Sequence, residues 1–144
     1  MTQAIAHPIA YLSFDGNCAE AMRFYERVLN GKLKAMITNG ETPVAAQMPP
    51  GSEHRIMHAL LEFKGGGSLM AGDTCPINPY QGMKGFMLAL MYDTVAEADR
   101  VFGALAEGGK VTMPLGPTFW AKSFGMVTDR FGTSWGINGE SIAN

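Results

Sequence analysis

Two periods of apolar residues run along this chain. Over residues 18–29, Ala21, Phe24, Tyr25, Val28 and Leu29 fall at i, i+3, i+4, i+7 and i+8, the single stripe of an amphipathic helix. Ala98, Val101, Phe102, Leu105 and Ala106 repeat that spacing and predict a second helix over 95–107. Shorter apolar runs bounded by Gly, Pro and Asn read as strands. One precedes each helix and three follow it: 9–14, 33–38, 55–63 and 68–72 around the first, and 85–92, 110–113, 123–129 and 133–138 around the second.

The two halves also match residue by residue. Ala19-Glu-Ala-Met-Arg-Phe-Tyr25 aligns without a gap on Ala96-Glu-Ala-Asp-Arg-Val-Phe102. Self-similarity on this scale means a repeated structural unit. Asn17 with Glu20, and Thr94 with Glu97, have the spacing of a capping box. Asp15 and Asp93 stand just before the helices, where a carboxylate satisfies backbone donors, and each helix runs into glycine. Glu20 with Arg23 and Glu97 with Arg100 are i,i+3 pairs. The reading is one mixed α+β domain of two tandem βαβββ modules, 7–73 and 85–140, joined by a Pro/Gly/Asn-rich linker over 74–84. One helix covers one face of each sheet, and two such sheets form a curved, open half-barrel around a cavity. Residues 39–52 are too polar and proline-rich for core and are placed at a rim.

Alternation then assigns faces. In Ile56-Met-His-Ala-Leu-Leu-Glu-Phe63, Met57, Ala59, Leu61 and Phe63 suit the helix side, so His58 and Glu62 look into the cavity. His58 is a candidate general base or carbonyl-holding group, with Glu62 orienting it through an intermediate group. A hydrogen-bonded structural histidine is the plainer alternative. Asp73, at a strand end, is either a polar or metal anchor or a turn cap. Phe119, Trp120, Lys122 and Phe124 form an aromatic and basic cluster suited to lining a small-molecule pocket, though such residues also fill cores and interfaces. Trp135 belongs on the helix side. Cys18 sits in the first helical turn, where a dipole favours thiolate, but a small buried apolar side chain is the simpler reading. Gly65–Gly67 reads as a hairpin turn, and so does Asp129-Arg-Phe-Gly132.

Composition narrows the function classes. A chain 47% hydrophobic and 17% charged is globular, and a net charge of −2 with scattered Lys and Arg gives no footprint for nucleic acid or an anionic membrane. No apolar run approaches a bilayer span, and the first eight residues lack the pattern of a secretion signal. Two cysteines without a CxxC do not make a disulfide scaffold, so a reducing cytoplasm is the expected location. The 11 methionines suit irregular packing or a permissive pocket.

Several segments together carry a family resemblance: Phe14-Asp-Gly-Asn-Cys-Ala-Glu-Ala-Met-Arg-Phe-Tyr25, Ile56-Met-His-Ala59, Leu69-Met-Ala-Gly-Asp73, Thr118-Phe-Trp-Ala121, Phe124-Gly-Met-Val-Thr-Asp-Arg-Phe-Gly132 and Trp135-Gly-Ile-Asn138. Over nearly its whole length the chain resembles the vicinal oxygen chelate superfamily, and within it the PhnB-like branch of glyoxalase/bleomycin resistance-type proteins. The resemblance implies a homodimer whose modules pair within one chain or exchange between two, and a small organic ligand in the cavity between modules. It also implies a divalent metal held by the first and last strands of each module. Those positions fall near Ala10, Ala71, Met87 and Gly136, which supply no ligand atom of the usual kind, so no cofactor is expected. The alternatives are a metal-dependent lyase, isomerase or dioxygenase with ligands relocated to His58, Glu62 and Asp73, and a resistance-type protein that sequesters a toxic compound. The branch sometimes carries a methyltransferase label. No strand–glycine loop–helix unit here would hold S-adenosylmethionine, and methyl transfer is not expected.

Overall fold

A computed structural model describes residues 6–75 and 79–142. The chain divides after Tyr80 into two compact units. Of the linker expected over 74–84, residues 76–78 lie outside the described residues, as do residues 1–5 of the N-terminal segment. The first unit contains β1 (Tyr11–Phe14), α1 (Cys18–Val28), β2 (Gly31–Thr38), β3 (Ile56–Phe63) and β4 (Ser68–Asp73). The second contains β5 (Leu88–Tyr92), α2 (Val95–Ala106), β6 (Lys110–Gly116), β7 (Ala121–Thr128) and β8 (Ser134–Ser141).

Each unit is one four-stranded sheet with one helix, in the orders β1-β4-β3-β2 and β5-β8-β7-β6. In each, the first strand runs parallel to the last and the other pairs are antiparallel. The two copies therefore share one topology, as the repeat requires. Strand ends differ from the sequence reading by up to three residues. β6 and β8 each run three residues further than expected, and β6 continues through Pro114. Proline is tolerated there because β6 is an edge strand and its register shifts between Met113 and Gly116.

Alternation sets what each helix covers. Leu12, Phe14, Ala59, Leu61, Leu69 and Ala71 are buried beneath the stripe of α1. In the second unit Ala121, Ser123, Val127, Trp135 and Ile137 take those places beneath α2. Helix and sheet approach closely at Gly139, where an added Cβ would come within 2.8 Å of the Ala98 Cβ. Residues 39–52 fold back through two short 3-10 turns, and Asn39 Nδ2 donates to the Ser52 carbonyl at 3.0 Å.

The helix ends correct part of the sequence reading. At α2 the expected cap forms: Glu97 N–H donates to Thr94 Oγ1 at 3.2 Å, and Arg100 pairs with Glu97 at 2.7 Å. At α1, Asn17 makes no side-chain cap bond. The carboxylate of Asp73 supplies acceptors from β4 instead. Its Oδ1 accepts from Gly16 N at 2.8 Å and Cys18 N at 3.1 Å, and its Oδ2 accepts from Ile56 N at 2.8 Å. Asp15 does not cap either and pairs with Arg55 at 3.1 Å. The residue that ends α1 with positive φ is Asn30, ahead of Gly31, because Asn tolerates the left-handed region. Gly108 fills that place after α2.

Asp73 thus ties a helix start to two strands. Asp73→Ala is expected to lower the unfolding free energy by about 2–4 kcal/mol in urea titration, whereas Asn17→Ala changes it by less than about 0.5 kcal/mol.

Candidate functional site

With one helix per sheet, each unit keeps a second face that its own helix does not cover. In the first unit this face carries Tyr11, Leu60, Met70 and His58, as alternation in β3 requires. Tyr11 and His58 stack with ring centroids 5.8 Å apart and planes inclined by 29°. The Tyr11 hydroxyl lies 3.3 Å from both the Met57 carbonyl oxygen and His58 Nδ1. Burial pushes the Tyr11 phenol above its ordinary value, with a smaller push from the Cys18 sulfur, so it keeps its proton at neutral pH.

Glu62 shares the face of His58 but not its surroundings. Four residues along a strand place the two about 13 Å apart. The Glu62 carboxylate instead sits 4.0 Å from Lys34 Nζ on the neighbouring edge strand, both well exposed. Asp73 is occupied by three backbone N–H groups. His58, Glu62 and Asp73 are thus not brought together, and among the described residues no three His, Cys, Asp or Glu side chains gather closely enough to hold a metal ion.

Three of the positions drawn from the resemblance change on inspection of the ladders. Ala71 faces α1, with Met70 and Gly72 as its neighbours on the uncovered side. Tyr11 pairs with Met70 across β1 and β4, and Ala89 pairs with Gly136 across β5 and β8. The uncovered positions on the parallel strand pairs are therefore Tyr11, Ser13, Met70 and Gly72 in the first unit, and Ala89, Met91, Gly136 and Asn138 in the second.

The second unit's uncovered face is aromatic and thioether-rich. Trp120 Nε1 donates to Asn138 Oδ1 at 2.9 Å, which fixes the indole at the start of β7. Phe124 meets it edge-on at 5.2 Å between centroids, and Phe119 does so at 4.9 Å. Met87 packs over Gly136, beside Phe124. Lys122 on the same strand pairs with Glu140. Phe119 is 83% exposed, Met91 62%, Met87 45% and Trp120 38%. Trp135 is buried, as alternation predicts, and its Nε1 donates to Asp129 Oδ2 at 2.9 Å. Asp129 Oδ1 accepts from the N–H groups of Phe131 and Thr133 and holds the turn before β8.

Sequence reasoning overlooked Tyr11, Asn138 as a partner for Trp120, and the bonding of Asp129. The signal for Tyr11 was present: in Tyr11-Leu-Ser-Phe14 it alternates with the buried Leu12 and Phe14. A groove of about 460 Å³ in the first unit, with Asp15, Ser52, Arg55, Cys75 and Tyr80 in its walls, contains none of the residues singled out as a catalytic or binding candidate.

Cys18 is fully buried at the start of α1. Burial, reinforced by the Asp73 carboxylate, pushes its thiol up to about 12. Iodoacetamide at pH 8 is expected to give one adduct, on the exposed Cys75, by intact-mass spectrometry of the native protein, and a second only in denaturant.

Comparison with known proteins agrees with this geometry. A model of the Glyoxalase/Bleomycin resistance protein/Dioxygenase superfamily matches residues 5–137. Protein YjdN of Escherichia coli (strain K12) is 40% identical over 136 residues, 89% of this chain and 91% of that one. The crystal structure of protein PA1353 from Pseudomonas aeruginosa is similar at 49% identity and a TM-score of 0.85, covering 93% of this chain and 97% of that one. The PhnB protein from Bacillus cereus, described as a putative 3-demethylubiquinone-9 3-methyltransferase, is 28% identical with a TM-score of 0.77, over 92% of this chain and 98% of that one.

Proposed function

The chain belongs to the Glyoxalase/Bleomycin resistance protein/Dioxygenase superfamily, and from that premise we propose that it is a PhnB-like protein that binds a small, partly apolar organic molecule on an uncovered sheet face. The observation that carries this reading is the run of Met87, Phe124, Trp120 and Phe119 in the second unit, in which Met87, Trp120 and Phe119 are exposed and Phe124 is half-buried between them. Aromatic and thioether side chains gathered in water on one face supply the rigid, adaptable contact surface that small-molecule sites use. Because Asn138 already satisfies the indole N–H, the ring is held in place with part of its surface free for a flat ligand. On the first unit's own uncovered face His58 offers a separate polar group for a ligand, and the protein is read as a cytoplasmic homodimer.

The reading is metal-free on the chemistry of the donor set. Met70, Ala89 and Gly136 offer no carboxylate or imidazole at the uncovered positions of the parallel strand pairs, and the Asp73 carboxylate is spent on backbone. The family's usual ion does not fit these residues, and no step is routed through one. Methyl transfer is not carried over from the relative's name: Gly66 and Gly67, both at positive φ, close a hairpin onto Phe63, so these glycines do not form a nucleotide loop.

Calorimetric titration with catechols, quinones and methylglyoxal hemithioacetals tests the binding face. A saturable ligand is expected, with Trp120→Ala weakening it at least about tenfold, or about 1.4 kcal/mol. Undiminished affinity in that variant would remove Trp120 from the site. Thermal unfolding with Zn, Mn, Ni or Fe(II) is expected to stay unchanged, where a specific site filled at about 100 times Kd would add about 2.7 kcal/mol. A metal-dependent rise abolished by His58→Ala would overturn the metal-free reading.

A further inference from the structure

The contact between Tyr11 and His58 crosses a strand. In the first sheet β4 lies between β1 and β3, yet the Tyr11 hydroxyl on β1 reaches Met57 and His58 on β3. The crossing is possible because β4 is bare at Gly72. A Cβ there would stand 3.0 Å from the Tyr11 oxygen and 3.0 Å from the Met57 carbonyl oxygen.

The proton inventory of this cluster is short. A phenol has one hydrogen to give and can also accept, a carbonyl oxygen only accepts, and a neutral imidazole has one N–H and one bare nitrogen. One arrangement forms both bonds: Tyr11 O–H donates to the Met57 carbonyl, and His58 Nδ1–H donates to the Tyr11 oxygen. The reverse arrangement, with the phenol donating to a bare Nδ1, forms a single bond and leaves Met57 without the phenol. In the first arrangement Nε2 is the bare nitrogen, and it has no protein partner among the described residues.

We infer that Tyr11 is a positioning residue that holds His58 in the Nδ1–H tautomer, so that Nε2 is an acceptor and the ligand group it takes is a hydrogen-bond donor. The chemical class is an enol, a phenol or catechol, or a hydroxyl beside a carbonyl. A bare carbonyl oxygen meets no donor there. This rests on the small-molecule reading of the uncovered face and narrows what that face recognises.

The tautomer is read from long-range proton–nitrogen correlation spectra of the 15N-labelled full chain at pH 9, well above the ordinary imidazole range of about 6.5. His7 and His54 serve as internal references. His58 is expected with hydrogen on Nδ1 and none on Nε2, and Tyr11→Phe is expected to move the hydrogen to Nε2. A wild-type His58 with hydrogen on Nε2 overturns the inference, and that measurement stands even if the variant does not fold. A folded Tyr11→Phe protein with an unchanged tautomer overturns the role of Tyr11. Phenol and anisole then serve as matched probes: phenol is expected to shift the Nε2 resonance and anisole to leave it in place. Equal shifts from both overturn the donor class. Binding by neither, with the Nδ1–H tautomer intact, overturns the binding reading of this face and leaves the tautomer established.

Discussion

Each sheet in this protein has four strands and a single helix, so only one of its faces can be covered from within its own unit. That constraint orders everything else. Alternation puts Leu12, Phe14, Ala59 and Leu61 under α1, and Ala121, Val127, Trp135 and Ile137 under α2. Apolar area withdrawn from water there, at roughly 25 cal/mol per Å², is what holds helix to sheet. The opposite residues are released from packing duty, and their chemistry is free to diverge.

They have diverged. The same topology carries a phenol stacked on an imidazole in one copy, and indole, phenyl and thioether groups in the other. The anchoring differs as well. A carboxylate gathers backbone N–H groups in both units, but Asp73 binds a helix start to two strands, whereas Asp129 folds a turn and accepts from an indole. Repetition preserved the strand order without preserving the polar fastenings.

Much of this was legible in the sequence because period and repeat are local signals. The helices, the eight strands and the sides taken by His58 and Trp135 follow from spacing alone. What spacing conceals is contact between strands distant in sequence. Glu62 appeared to be a partner for His58 because it lies four residues away, but extension along β3 carries it to Lys34. Asn17 matched a capping pattern, while the acceptor for that helix start came from Asp73, more than fifty residues on. Tyr11 and Asn138 escaped notice for the same reason: each gains its meaning from a partner on another strand.

A missing side chain at one position of a middle strand decides whether the first strand can touch the third. Gly72 is therefore the position on which the link between Tyr11 and His58 depends. A relative with alanine or anything larger at the equivalent place could keep every strand and helix while its tyrosine and histidine stood unlinked. Residue 72 is the letter to check before any conclusion about such a pair is transferred from one member to another.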